Sequence, residues 1–161
     1  MKFSAQEEYG LRCLLQIARE PAGELTIPEI AAREALSTSN VAKLMRVLRQ
    51  AGMVKSMRGQ NGGYQLARPP EQIQLFNLLS ALGGRLFGND FCEHHTGTEG
   101  SCVHDVDCSM RSLWLALDTA VERALKGITL RDLLCSEREM GQRVGAYLDA
   151  SSLEVYLRRT L

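Results

Sequence analysis

Apolar and polar positions alternate along residues 4–51 with the three- and four-residue spacing of amphipathic helices. Ser4 can cap a first helix that runs to about Arg19, and Thr26 can cap a short second helix. Ser37 can cap a third helix that runs to about Ala51. Two helices joined by a tight turn, with cations on the outer face of the second, predict a helix-turn-helix.

A short β-hairpin is predicted directly after the third helix. Residues 53–57 and 64–67 have the pattern of short strands, and three glycines lie among the six residues between them. Glycine allows the positive φ or the close approach that such a tip requires. Three helices followed by a basic hairpin predict a winged helix, whose third helix enters the major groove of DNA. The predicted fold class is therefore mainly α with a small β-hairpin.

The rest of the chain predicts a helix over residues 73–82, a long loop, and a long helix from Met110 to about Lys126. The wide apolar stripe of the long helix suits a dimer seam as well as core packing. The predicted seam residues are Met110, Leu113, Trp114, Leu117 and Val121. A short helix from Thr129 and one or two covering helices follow. We therefore divide the chain into a winged helix-turn-helix domain (1–70), a connecting helix and loop (71–108), and a dimerisation helix with C-terminal helices (109–161).

Charge is distributed unevenly, although the net charge is zero. Residues 37–68 contain six basic and no acidic residues, whereas residues 69–161 contain nine basic and thirteen acidic residues. One end of the molecule should therefore attract a polyanion such as DNA. Ser39, Asn40 and Lys43 are expected to read base edges, and the other candidates to contact the backbone or the minor groove. The other candidates are Arg46, Lys55, Arg58, Gln60 and Asn61.

Three of the five cysteines, Cys92, Cys102 and Cys108, lie in the loop of residues 88–108. This loop has few apolar side chains, so we do not expect it to have structure of its own. Thiolates bind soft metals and iron–sulfur clusters, either of which would hold three points of the loop together. Three free thiols or a disulfide are the alternatives. Cys13 and Cys135 lie on apolar faces and are expected to be structural.

Other classes of protein are not expected from the sequence. No apolar run approaches membrane-spanning length, and no charged leader precedes an apolar segment. The odd number of cysteines argues against a disulfide framework, so a cytoplasmic protein without a membrane partner is predicted. No motif combines a base, an orienting acid and an oxyanion site, so we do not expect an enzyme.

Three sequence features together resemble the Rrf family of bacterial winged-helix transcription regulators. They are the wing Arg58-Gly59-Gln60-Asn61-Gly62-Gly63-Tyr64, the opening Met1-Lys2-Phe3-Ser4 and the three-cysteine loop. The resemblance extends to about Leu134 and is to the iron–sulfur type that includes IscR, NsrR and RirA. It implies a homodimeric repressor on a palindromic operator in double-stranded DNA. It also implies a 4Fe-4S or 2Fe-2S cluster that senses redox state, nitric oxide or iron.

The same resemblance implies that Glu8 is the fourth cluster ligand, because NsrR-like members offer a first-helix carboxylate there from the partner subunit. Glu7, His94 and His104 are alternatives. Two features depart from the family pattern. Arg111 stands where IscR has a histidine ligand, and the gap between the first two cysteines is longer than usual. A zinc site of the three cysteines with His104 is a further interpretation. Another is a cluster-free regulator controlled by a protein partner or small molecule; CymR, controlled by a partner, is such a regulator.

Overall fold

Helices dominate the fold. The computed structural model describes residues 3–57, 62–85, 87–88, 91–96, 100, 102–104 and 106–147. The elements found in these ranges are α1 (Ala5–Arg19), α2 (Ile27–Glu34), α3 (Thr38–Gln50), β1 (Val54–Ser56), β2 (Tyr64–Leu66), α4 (Leu75–Gly83), α5 (Ser109–Leu125) and α6 (Glu137–Tyr147). None of the described helices is both long and apolar enough to cross a membrane. The predicted fold class is confirmed.

The three N-caps predicted from the sequence begin the first three helices. The backbone N–H of Glu7 donates to Ser4 Oγ at 3.2 Å, and the backbone N–H of Ser4 donates to Glu7 Oε2 at 2.7 Å. Thr26 and Glu29 form the same reciprocal pair at the start of α2. Such capping boxes satisfy amide groups that the helix itself leaves without partners. The hydrogen bonds from Thr26 also lower the pKa of Glu29.

The core lies between α1, α3 and α4. Its fully buried side chains include Leu14, Ile17, Ile30, Val41, Met45, Leu48, Ile73, Leu78 and Leu130. α1 approaches α4 closely at Gly10, where a Cβ atom would lie 2.5 Å from Leu82 Cδ2. The side-chain amide of Gln6 also donates to the Leu82 carbonyl. The N-terminal half of α1 is therefore fastened to the C-terminal end of α4.

The hairpin is attached to the helices through a third segment of chain. β1 and β2 are antiparallel, with Val54 opposite Leu66 and Ser56 opposite Tyr64. Leu25 adds a bridge to β2, because its N–H donates to the Tyr64 carbonyl at 3.1 Å and its carbonyl accepts from the Tyr64 N–H at 2.8 Å. The base of the wing is thus fixed to the segment between α1 and α2.

The start of α4 differs from the expectation. Ile73 was predicted to be helical, but it lies before the first residue of α4 and is buried. Its carbonyl accepts from the Leu130 N–H at 2.9 Å, and the Leu75 N–H donates to the Ile128 carbonyl at 2.9 Å. The Ile73 carbonyl and the Leu75 N–H thus form hydrogen bonds with a distant segment and not within a helix. These hydrogen bonds also tie the end of α5 to the start of α4.

Candidate nucleic-acid interface and cysteine loop

The two faces of α3 differ in burial. The inner face holds Val41, Leu44, Met45 and Leu48, all buried. Ser39, Lys43 and Arg46 are exposed on the other face, and Asn40 is half-buried. The Asn40 N–H donates to the capping Ser37 Oγ at 3.2 Å, and Asn40 lines a cavity between α1 and α3. Of the predicted base-reading residues, Asn40 and Lys43 therefore line the same surface cavity, and Ser39 is exposed at the start of α3.

A buried acidic residue holds the turn between α2 and α3. Glu34 is only 8% exposed, and its carboxylate accepts from Arg12 Nε and from Gln16 Nε2, both at 2.5 Å. A buried carboxylate is costly unless it is paired in this way. Ala35 then adopts a left-handed conformation with φ 54°, which redirects the chain into α3. Two residues of α1 therefore set the position from which α3 begins.

Cys13 lies on the buried side of α1 and is fully shielded from solvent. Burial raises the pKa of its thiol to about 11, with a smaller contribution from Glu34. A thiol with such a high pKa is a poor nucleophile and a poor metal ligand at neutral pH. Its environment agrees with the structural role expected from the sequence.

At the wing, the described residues place Lys55 in an exposed position on β1. Gly63 at the base of the wing is buried, and its N–H donates to Glu24 Oε1 at 3.1 Å. A Cβ atom there would lie 3.0 Å from the Leu25 carbonyl oxygen, so a side chain would push the wing from its support. The Glu24 contact was not foreseen from the sequence. Arg58, Gln60 and Asn61 lie outside the described residues.

The cysteine loop begins with an ordered aromatic turn. The ring centroids of Phe87 and Phe91 are 5.1 Å apart, and Phe91 stacks on His95 at 4.3 Å. The Phe91 N–H donates to the Gly88 carbonyl, the His95 N–H donates to the Cys92 carbonyl, and a 3₁₀ turn covers Glu93–His95. The expectation of a loop without structure of its own was therefore wrong for this part. Aromatic residues spaced four apart were the signal that could have revealed it.

Cys92, Cys102 and Cys108 are half-buried, and none of them forms a disulfide. In the described residues of this single chain, no group of three or more His, Cys, Asp or Glu side chains lies close enough together to hold a metal ion. The chain by itself therefore does not bring the three cysteines and Glu8 together. Three accessible thiols on one loop nevertheless match the donor chemistry of an iron–sulfur cluster. Binding of such a group commonly orders its own ligands.

The candidates for the fourth ligand differ in their surroundings. Glu8 is exposed on the first turn of α1, whereas Glu7 is engaged in the cap of that helix and packs against Gly83. His94 and His104 are exposed in the loop. Of the two acidic residues at the start of α1, Glu8 is thus the one whose side chain does not take part in the cap of the helix.

An ion pair connects the start of the cysteine loop to α5. Arg85 donates from Nε to Asp118 Oδ2 at 3.0 Å and also bonds this oxygen through Nη2, while its Nη2 lies 3.1 Å from Glu122 Oε2. The hydrogen bonding of the Arg85 guanidinium to the Asp118 carboxylate is the main reason that the pKa of Arg85 is raised. This ion pair was not predicted from the sequence. A single acidic residue inside the apolar stripe of α5 was the available signal.

Most large apolar side chains of α5 face solvent. Met110, Leu113, Trp114, Leu115 and Leu117 are between 40% and 54% exposed. Leu115 was not among the predicted seam residues. Val121 is half-buried and lines a cavity of about 260 Å³ together with Phe76 and Leu79. Core packing within the chain therefore does not account for the apolar stripe, except near Val121.

Comparison with known proteins gives the family. The model of the Rrf2 family, described as an iron-dependent transcriptional regulator, matches residues 3–136. The chain belongs to the Rrf2 family. The Rrf2 match includes the helix-turn-helix, the hairpin, the cysteine loop and α5, and it ends before α6. The chain is therefore a helix-turn-helix transcription regulator and not an enzyme, as predicted.

Individual Rrf2 proteins support the same assignment. The protein rrf2 of Nitratidesulfovibrio vulgaris is 34% identical over 135 residues, covering 83% of this chain and 87% of the relative. The structure of CymR, the global cysteine regulator of B. subtilis, is similar with a TM-score of 0.62 and 30% identity, covering 83% of this chain and 96% of CymR. IscR of T. potens has the same TM-score with 32% identity, covering 83% and 86%. The winged-helix Rrf2 fold is confirmed.

Proposed function

We propose that this Rrf2 protein is a homodimeric repressor of a palindromic operator whose DNA affinity is controlled by an iron–sulfur cluster. The proposed ligands are Cys92, Cys102, Cys108 and Glu8, the last from the second subunit. The observation that carries the proposal is the loop of three half-exposed thiols, which follows a winged helix and is anchored to α5. Such a regulator acts on the chromosome, so we place it in the bacterial cytoplasm.

The exposed face of α3 supports DNA recognition. Ser39, Asn40 and Lys43 lie at the start of the helix, where helix-turn-helix proteins present side chains to base edges. Arg46 and Lys55 are exposed further along the same basic segment and suit contacts to phosphates. We extend this role to Arg58, Gln60 and Asn61 from their place in the wing sequence alone.

The exposed apolar residues of α5 support a dimer. Met110, Leu113 and Leu117 lie on one stripe of the helix, together with Trp114 and Val121 at its edge. A second copy of α5 would bury this stripe about a two-fold axis. Such a dimer also suits two half-sites on a palindromic operator.

Control of DNA binding is proposed to pass through α1. A cluster held by these residues would supply iron that oxidants or nitric oxide could attack and that iron scarcity could remove. Glu8 lies on the first turn of α1, and one turn later Arg12 holds the buried Glu34 next to the α2–α3 turn. A change of partner at Glu8 would therefore act on the element that sets the start of α3.

A cluster-free regulator is the second candidate. It is favoured by the likeness to CymR and by the fact that the described residues of one chain form no metal-binding group. In this case a protein partner or a small molecule would bias the same fold. A zinc site of Cys92, Cys102, Cys108 and His104 is a variant of this candidate.

Anaerobic purification followed by an absorption spectrum and iron and sulfide analysis tests the proposal. We expect a brown protein, and replacement of Cys92, Cys102 or Cys108 by Ala should abolish cluster retention. Cys13→Ala and Cys135→Ala are the matched controls and should retain the cluster. Glu8→Ala should weaken or alter it, because solvent can replace a carboxylate. A colourless protein containing zinc, or no metal, would reject the cluster in favour of the second candidate.

A further inference from the structure

Asp118 is unusual among the residues of α5. It is 1% exposed and is the one buried residue of this helix, all of which the structure describes. Its neighbours along the helix, Leu117 and Thr119, are exposed and half-buried respectively. Burying a carboxylate costs free energy that its hydrogen bonds must offset. An apolar residue would pack here without that cost, so the contacts of Asp118 point to a specific use.

Those contacts are made to the first residues after α4. Asp118 Oδ2 accepts from the Arg85 guanidinium, and Oδ1 accepts from the backbone N–H of Phe87 at 3.4 Å. Arg85 makes two further contacts, an exposed one with Glu122 Oε2 at 3.1 Å and one over the ring of Phe76 at 5.2 Å. The Asp118 carboxylate therefore binds the segment that leads into the cysteine loop at two points, the Arg85 side chain and the Phe87 backbone.

A short series of contacts leads from Phe87 to the first cysteine. Phe87 packs on Phe91, whose ring stacks on His95, and His95 Nδ1 lies 2.7 Å from the Phe91 carbonyl oxygen. Cys92 lies inside this turn, and its carbonyl accepts the His95 N–H. The position of Cys92 relative to α5 is therefore set through Phe87, and that of Phe87 through Asp118.

We propose that Asp118 is a positioning residue that holds Cys92 at a defined place relative to α5. The inference rests on the proposed function in one respect, namely that Cys92 is a cluster ligand. Because α5 also carries the apolar stripe proposed for the dimer, Asp118 places the first thiol relative to the second subunit as well. Cys92 would then be presented to an incoming cluster at little ordering cost.

The first test uses the protein without a cluster and follows alkylation of each cysteine by N-ethylmaleimide with mass spectrometry. Asp118→Asn keeps the size of the side chain but removes its charge. We expect Cys92 to react about tenfold faster in this variant, because the charged acceptor that holds Arg85 and Phe87 is lost and the turn around Cys92 packs on Phe87. Reaction at Cys135, far along the chain from this turn, should keep its rate. Glu122→Gln, which removes only the exposed partner of Arg85, is the matched control and should leave both rates unchanged.

Phe87→Leu is a second variant that leaves the buried carboxylate and its backbone partner in place. It removes the ring contact with Phe91, so Cys92 should again react faster while thermal unfolding stays cooperative. This arm gives a result even if Asp118→Asn folds poorly. Equal acceleration of Cys92 and Cys135 in both variants would mean general loosening and would overturn the proposal.

The second test uses the holoprotein and follows the loss of cluster absorbance in the presence of an iron chelator. Asp118→Asn should lose its cluster faster than the wild type, and Asp118→Glu, which keeps the charge, should restore much of the retention. If the wild-type protein assembles no cluster, the proposed function fails while the alkylation rates still decide the role of Asp118. Wild-type rates of alkylation and cluster loss in Asp118→Asn would reject the positioning role alone.

Discussion

In this Rrf2 protein the winged helix differs from the segment that contains the cysteine loop and α5 in how its side chains are buried. Every buried apolar side chain in the described ranges lies between Cys13 and Leu82 or in the short segment of Ile128 and Leu130. Between Arg85 and Leu125 the described residues include no buried apolar side chain. The buried residue there is Asp118, which forms an ion pair with Arg85. The winged helix, α4 and the segment of Ile128 and Leu130 therefore share one apolar core, whereas the described residues of the cysteine loop and α5 add no buried apolar side chain to it.

This difference indicates where each half obtains its stability. Burial of apolar surface inside one chain suffices to give the winged helix its shape. The loop and α5 expose apolar and thiol groups, which in the proposed function are covered by a second chain and by a cofactor. A regulator benefits from this division, because a signal can alter the second half without unfolding the half that reads DNA.

The largest expected effect comes from two identical substitutions, one in each half. Leu48→Ala removes a fully buried side chain from α3 and should lower the free energy of unfolding by about 2–5 kcal/mol at every protein concentration. Leu117→Ala removes a side chain that is 45% exposed and should act mainly on the proposed dimer, so its effect should depend on protein concentration. Urea unfolding at several protein concentrations measures both. If Leu117→Ala lowered the free energy of unfolding as much as Leu48→Ala at every protein concentration, α5 would pack within its own chain. The proposed difference between the two regions would then be wrong.

A second prediction uses the cysteines of the two halves. The pKa of Cys13 is about 11 in the folded protein against an ordinary value of 9.0. The unfolded chain therefore releases this proton first, so stability should fall between about pH 9 and pH 11, by about 2–3 kcal/mol. Cys13→Ala should lose that part of the pH dependence in urea unfolding measured across this range. In the same range Cys13 should resist alkylation while the loop cysteines react.

The control for this prediction is Cys135→Ala, which should keep the pH dependence of the wild type. An unchanged pH profile in Cys13→Ala would mean that other groups cause the loss of stability. It would also mean that burial in the winged helix does not protect a thiol as the geometry of α1 implies.

The smallest expected effect concerns the recognition of DNA bases. It tests whether the winged helix recognises DNA independently of the rest of the chain. Asn40→Ala or Lys43→Ala should reduce the preference among operator variants by about 1–3 kcal/mol per lost base contact. Arg46→Ala or Lys55→Ala should weaken binding to all sequences alike and flatten the salt dependence by about one counterion. Titrations against operator and scrambled duplexes at several salt concentrations distinguish the two groups.

The two groups of variants are controls for each other, since all four side chains belong to the same basic segment. The loss of preference should be the same in holoprotein and apoprotein if the winged helix reads bases as a rigid unit. Equal loss of affinity for both duplexes in Asn40→Ala and Lys43→Ala would mean that this face of α3 does not read bases.

Local sequence determined much of the winged helix. Ser4, Thr26 and Ser37 begin helices because a hydroxyl can accept a backbone N–H wherever it precedes an amphipathic run. The inner face of α3 could be predicted for the same reason, since its three- and four-residue spacing leaves one apolar stripe. The family resemblance was also visible, because the wing and cysteine motifs are short and contiguous or nearly so.

Only the tertiary structure decided the contacts between distant segments. Glu34 with Arg12, Glu24 with Gly63, and Asp118 with Arg85 join residues that are far apart in the chain. Their pairing depends on how helices pack, which the spacing of residues along one helix does not specify. Ile73 lies outside the predicted helix for a similar reason, because its carbonyl accepts a hydrogen bond from the distant Leu130 N–H. A local pattern determines which face of an element is apolar, whereas the partner of a polar group is chosen by the fold.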